Sequence, residues 1–312
     1  MTVPSHWCGF VSVSRDGRNL LYTSREETSG VRKVAFDPDR ERVTGEAVSV
    51  LSGSLLVRDI GPSPDGKWLA LTTRGARENL LVISADGSQQ RQLTNDSFKN
   101  RGPSWSPDGK RIAFYSSRSG RYEIWSVNPD GSGLTQLTRT SGNAVWHPVW
   151  SPDGKWLAFP DGTASYLFTL GQPLGAEKPQ PLPALNEAGD AFLVTSWSPD
   201  GRALAGVGIR PDGTFPPGIV IYSLESKTYR TLSKSGSRPT WLADSRRIVC
   251  GDPTAGKLLL LDSASGRTVR LLDAAFDANN SLAKVGRPLR DDRIIFFVTD
   301  HAESDIWRIT LK

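Results

Sequence analysis

The chain has 312 residues, 38% of them hydrophobic and 23% charged, which supplies material for a folded core and excludes intrinsic disorder. The net charge of +5 is mild and spread along the chain, without the clustered basic face or motif of a nucleic-acid binder. Two cysteines exclude a disulfide framework, and no apolar run approaches the ~18 residues of a membrane-spanning helix.

The first residues, MTVPSHWCGFVSVSRDGRNL, lack a charged start followed by an apolar core and do not read as a signal peptide. A cytoplasmic location is expected for the sequence as written, and a periplasmic or other extracytoplasmic one if it is a fragment of a longer protein. A tight turn then recurs: SRDG at 14–17, SPDG at 63–66, 106–109, 151–154 and 198–201, and degenerate copies in LADSRRIV from Leu242 and LRDDRIIF from Leu289. Aligned on Asp16, Asp65, Asp108, Asp153, Asp200, Asp244 and Asp292, the copies return about every 45 residues, the period of propeller blades.

One unit shows the physics. In RGPSWSPDGKRIAFYSSRSGRYEIWSVNPDGSGLTQLT, Pro107 sets φ for the second position of a type I turn, and Gly109 takes the positive φ that returns the chain. GPSW and RIAFYS flank that turn as a hairpin, YEIWSVN is a third strand closed by PDGSG, and LTQLT is the fourth. Such a sheet has two apolar faces and buries both only when stacked against copies of itself. The tryptophans before the turn (Trp105, Trp150, Trp197, Trp241) and the third-strand aromatics (Trp125, Phe168, Tyr222, Trp307) are the expected wedges between blades. RENLLVISADGSQQRQLT completes unit two, ASYLFTLGQPLGAEKPQPLP unit four, GIVIYSLESKTYRTLS unit five and GKLLLLDSASGRTVRLL unit six. Unit seven stops at DIWRITLK, after its third strand, and residues 2–6 are the only spare segment to close the ring. The expectation is one domain over 1–312, an all-β, seven-bladed propeller of four-stranded antiparallel blades, with six blades as the alternative.

The stretch WSPDGKRIAFYSSRSGRYEIWSVNPDGSGLTQLT resembles the repeat of TolB-like β-propellers, relatives of WD repeats. The resemblance covers nearly the whole chain and is weakest in units one, six and seven. TolB itself resembles this pattern with six blades behind an N-terminal domain and a signal peptide, whereas seven turns and neither of those features are read here. Unit one, LLYTSREETSGVRKVAFDPDRERVTGEAVSVL, is similar to the propellers that follow kinase or winged-helix regulator domains in bacteria. The resemblance implies a propeller that binds or scaffolds, standing alone or as the sensor part of a signalling protein.

A residue repeated in every blade serves the fold, so the turn aspartates read as turn residues bonding their own backbone. Function belongs where equivalent positions differ. About six residues before each turn aspartate the chain enters the innermost strand, and the ring reads Phe10, Asp59 beside Arg58, Gly102 beside Arg101, His147, Val194, Arg238 and Arg287. Arg58, Asp59, Arg101, His147, Arg238 and Arg287 are the candidate ligand-binding residues of an anion-attracting channel mouth. The alternative for them is solvated loop charge, some of it paired with Asp59 or Asp190. His6, His147 and His301 sit at different offsets in their repeats, so no metal site is expected, and no cofactor or catalytic residue is assigned. There is no nucleophile elbow. Three longer loops, 171–192, 206–218 and 273–286, are candidate binding loops. The function expected is a monomeric, non-catalytic binding module for a protein, peptide or small anionic ligand. The rival is an enzyme, a lyase or hydrolase sited in the channel.

Overall fold

The computed structural model describes the backbone of residues 5–13, 15, 19–53, 55–75, 77–140, 144–176, 178–216, 218–252, 256–273, 285–288 and 292–310. Side chains are described within 28–272 of those bounds and at 12, 13, 15 and 292–298.

The serine–proline turn is a small hydrogen-bonded unit. Ser106 Oγ donates to Asp108 Oδ1 at 2.6 Å and accepts the Arg111 N–H at 2.9 Å, while Asp108 Oδ1 accepts the Lys110 N–H at 3.1 Å. Gly109 closes the turn at φ 71, a conformation open to glycine at little cost. The same contacts recur at Ser63 with Asp65, Ser151 with Asp153 and Ser198 with Asp200. In the sixth turn Asp244 accepts the N–H groups of Arg246 and Arg247. These aspartates are turn residues, and Asp16 lies outside the described residues.

Asp292 differs. Pro288 lies opposite Ile295 as Pro62 lies opposite Leu69, so Asp292 is level with Gly66, and its φ is 55. Its Oδ2 accepts the Ala243 N–H of the neighbouring blade at 2.7 Å. Ala243 stands where four other turns carry Pro64, Pro107, Pro152 and Pro199, so it has the N–H that a proline lacks. The two departures from the repeat answer each other.

Each turn opens a meander. Four-stranded antiparallel sheets form in chain order over residues 57–92, 100–136, 149–181, 191–233 and 237–273. The last sheet joins the two ends of the described chain. Val285–Pro288 and Ile294–Thr310 come from the C-terminal side, Asn19–Asp37 and Arg42–Leu51 from the N-terminal side, and Ser5–Val13 pairs along the outer part of Asn19–Asp37. The propeller therefore has six blades, and the expectation of seven is corrected. Counting turns misled because units one and seven each carry a turn but share one sheet. The third strand of unit one pairs with the second strand of unit seven, from Val31 opposite Val298 to Ala35 opposite Ile294. These long strands make the closure, with Ser5 and His6 at the start of a strand beside Asn19–Asp37; residues 2–4 of the segment expected to close the ring lie outside the described residues.

Both faces of each blade are buried, which explains the nearly continuous apolar runs. Leu69 and Leu71 pack toward Phe296 and Val298 of the closing blade, while Ala70 between them packs toward Ile112 and Phe114 of the next. Each pair of adjacent blades holds a cluster of this kind, and the clusters succeed one another around the ring. Two of the pre-turn tryptophans tie blades together: Trp105 Nε1 donates to the Gly61 carbonyl and Trp150 Nε1 to the Ser104 carbonyl, each at 3.0 Å, while Trp197 Nε1 donates to the Gly201 carbonyl of its own turn. Phe168 and Tyr222 are buried and Trp125 is half-buried against these clusters; the Trp307 side chain is outside the described set. Among the described residues no helix is long and apolar enough to cross a membrane.

Candidate functional site at the channel mouth

Four ring positions, Asp59, Gly102, Val194 and Arg238, sit at β-bulges, while His147 precedes its strand. Strand pairing slips between Val57 and Asp59, between Arg101 and Ser104, between Val194 and Ser196, and between Ser237 and Thr240. A bulge inserts one residue and re-aims its neighbours. Gly102, His147 and Arg238 have φ values of 61, 36 and 46. Glycine accepts such angles freely, whereas histidine and arginine pay of order 1 kcal/mol each. At Gly102 a side chain would also collide, because a Cβ would lie 2.8 Å from His147 Nδ1 and 2.8 Å from Tyr115 Cε1.

Asp59 is the centre of the cluster. It is buried, and it accepts hydrogen bonds from Arg238 Nη1 at 3.1 Å, Thr72 Oγ1 at 3.2 Å and the Gly102 N–H at 3.3 Å. Burial pushes its pKa up, but the Arg238 guanidinium, His147 and Arg58 more than offset this and hold the carboxyl well below its ordinary range. The His147 ring stands edge-on to Tyr115 with centroids 5.2 Å apart, and burial pushes the Tyr115 hydroxyl pKa up.

Glu78 is the residue that the sequence did not point to. It is buried, binds Arg101 through both carboxylate oxygens, and lies 3.6 Å from Arg58 Nη2. Arg101 also lies 5.5 Å from the centre of the Tyr122 ring. The only signal was a glutamate two residues before an apolar strand.

Asp59, Gly102, His147, Val194 and Arg238, one from each of five blades, line a single cavity of about 120 Å³ on the axis. Its remaining wall is largely apolar, including Ile60, Trp146, Leu193, Val207 and Phe215, the last from the 206–218 loop. Arg58 and Arg101 are not part of this lining; Arg58 acts on Asp59 through its charge, and Arg101 is held by Glu78. Arg287 has its backbone in Val285–Pro288, where the pairing slips between Val285 and Pro288; counted back from Pro288, it corresponds to Gly61, two positions past the ring. The side chains of Arg287 and Phe10 are outside the described residues, as are His6 and His301. Asp190 accepts a hydrogen bond from Asn186 and meets no arginine among the described residues. At the other end of the axis Trp105, Trp150, Trp197 and Trp241 face a wider opening of about 470 Å³, and Thr240 lines both. Among the described residues no group of three or more His, Cys, Asp and Glu is placed to hold a metal ion.

The cluster makes acid stability predictable in sign. Asp59, Asp65, Asp108 and Asp153 all have lowered pKa values in the fold. The unfolded chain therefore binds more protons, so their stabilisation is present above about pH 4 and is lost as pH falls through the folded values. Urea midpoints measured at pH 7, 4 and 3 are expected to fall in that order, with a shallower fall in Asp59→Asn.

A ring of four-stranded meanders, closed by strands from both ends and bearing different residues from blade to blade at one mouth, defines a six-bladed β-propeller with a cavity at that mouth. The profile of the TolB beta propeller domain matches residues 10–175, more than half of the chain, and the chain belongs to that family. Among curated relatives, dipeptidyl-peptidase 5 of Porphyromonas gingivalis is 26% identical over 340 aligned positions, covering 87% of this chain and 48% of that protein. The Tol-Pal system protein TolB of Hahella chejuensis is 31% identical over 149 positions, covering 42% of this chain and 33% of that protein. The structure of a putative TolB from Agrobacterium tumefaciens superposes with a TM-score of 0.66 at 17% identity, over 88% of this chain and 99% of that one, which shows the shared fold. The chain spans less than half the length of the curated relatives it matches.

Proposed function

We propose that this propeller is a non-catalytic binding module that takes a protein or peptide partner, or a small anionic ligand, at the Asp59 mouth. The observation that carries the reading is the pair of strained non-glycine residues, His147 at φ 36 and Arg238 at φ 46, set on the rim of an apolar cup. Strain of this kind costs stability and clusters at ligand clamps. His147→Gly separates the two roles. Relief of strain raises or preserves stability, while a binding role predicts that the variant loses the partners that wild type captures from a cell extract. Capture of the same set by wild type and variant would defeat the reading.

A second reading is enzymatic: the propeller is one part of a larger hydrolase. It rests on the alignment with dipeptidyl-peptidase 5, which takes in most of this chain and about half of that protein. Hydrolysis of dipeptidyl chromogenic substrates by the natural full-length product, and none by this chain, would favour it.

A further inference from the structure

We propose that the Asp59 mouth recognises a monocarboxylate on an apolar body; this rests on the binding-module reading and names its ligand chemistry. Among the described residues the mouth assembles three guanidinium groups, Arg58, Arg101 and Arg238, against two buried carboxylates, Asp59 and Glu78. One positive charge is in surplus. Arg101 is spent on a two-point contact with Glu78. Arg238 is not: only its Nη1 donates to Asp59, and its guanidinium makes no other hydrogen bond among the described residues. Arg58 reaches Glu78 at 3.6 Å, beyond hydrogen-bond range, and its Nε is buried without a partner.

The surplus among these arginines and carboxylates suits an anion, and the planar fork, with its open N–H groups, suits the two oxygens of a carboxylate. The rest of the ligand is set by the wall. Ile60, Trp146, Leu193, Val207 and Phe215 give a cup of about 120 Å³, room for a group the size of one aliphatic side chain, and Phe215 is 40% exposed at the rim. The chemistry is that of a short branched or aryl acid, or of a peptide C-terminus ending in an apolar residue.

The test is calorimetric titration of the full chain with 4-methylpentanoate and with a tripeptide ending in leucine, each beside its amide. The acids are expected to saturate one site and the amides to bind at least about tenfold more weakly, because the charge-assisted fork contact is lost. Arg238→Lys, which keeps the charge but not the fork, is expected to lose about tenfold. Asp59→Asn removes the carboxylate that competes for Arg238 and is expected to bind the acids more tightly. Tighter binding of the tripeptide than of 4-methylpentanoate assigns the site to peptide termini, and the reverse to small acids. Equal binding of acid and amide would overturn the carboxylate assignment while leaving a binding site at this mouth. Failure of every probe to bind would also overturn it, and the module reading would still be judged separately by the His147→Gly capture, which uses none of these probes.

Discussion

Asp59→Ala is expected to lower the unfolding free energy by about 3 kcal/mol, the low end of the cost of breaking a buried ion pair. The substitution removes the acceptor of three hydrogen bonds at once, those of Arg238, Thr72 and the Gly102 N–H. It also leaves Arg238 beside a mouth already rich in guanidinium groups. The cost stays at the low end because the Arg238 side chain is 23% exposed and turns partly to water. Thr72 is fully buried and has no such escape, so its hydroxyl carries part of the penalty. Asp59→Asn keeps an acceptor in place and is expected to cost about 1–2 kcal/mol. Urea unfolding measures both, with an unchanged m-value showing that stability changed and the surface exposed on unfolding did not. A loss under 1 kcal/mol in the alanine variant would mean that the cluster is solvated and that Asp59 does not organise the mouth.

The architecture was legible because it is written several times. Each Ser-Pro-Asp-Gly copy repeats the same local hydrogen bonds, and each apolar run has two faces to bury, so a single unit predicts its neighbours. The blade number was not legible, since it depends on which strands pair across the closure. Val31 opposite Val298 is a contact between opposite ends of the chain, and no local signal distinguishes it from two incomplete blades. At the site, Asp59, Gly102, His147, Val194 and Arg238, read at one offset from the turn, line one cavity. For Arg287 the degenerate turn RDDR offers two aspartates, and the second one, Asp292, occupies the glycine position, which shifts the offset counted from it. The pairing of the arginines was also hidden. Glu78 lies two residues before a third strand, away from the ring in sequence, and only the packing of adjacent blades brings it to Arg101.

The same distinction between pattern and packing makes a sharp prediction within one strand, Ala203–Ile209, whose sequence is ALAGVGI. Gly206 and Gly208 share a face of it and are each flanked by aliphatic residues, yet their surroundings differ. A Cβ on Gly206 would lie 2.1 Å from the Leu193 carbonyl oxygen and 2.7 Å from Phe192 Cε2. The first of these is backbone and cannot rotate away, and Phe192 is buried. A Cβ on Gly208 would meet only the ends of Leu185 and Pro216 side chains, at 3.3 and 3.4 Å, which yield by a few tenths of an ångström. Gly206→Ala is therefore expected to cost about 3 kcal/mol through forced backbone movement, and Gly208→Ala less than about 1 kcal/mol, because alanine otherwise suits a strand better than glycine. Gly213→Ala gives a third reference: its φ is +82 with nothing within 4 Å, so it reports backbone strain alone, about 1 kcal/mol. Gly206 pairs with Val194, the ring residue of that blade. The strand that must give way is thus the one carrying Leu193 and Val194 into the cup, and Gly206→Ala is expected to weaken binding at the mouth under conditions where the variant remains folded. Equal costs for Gly206→Ala and Gly208→Ala would show that this strand is not held against its neighbour as tightly as the bulge at Val194 requires.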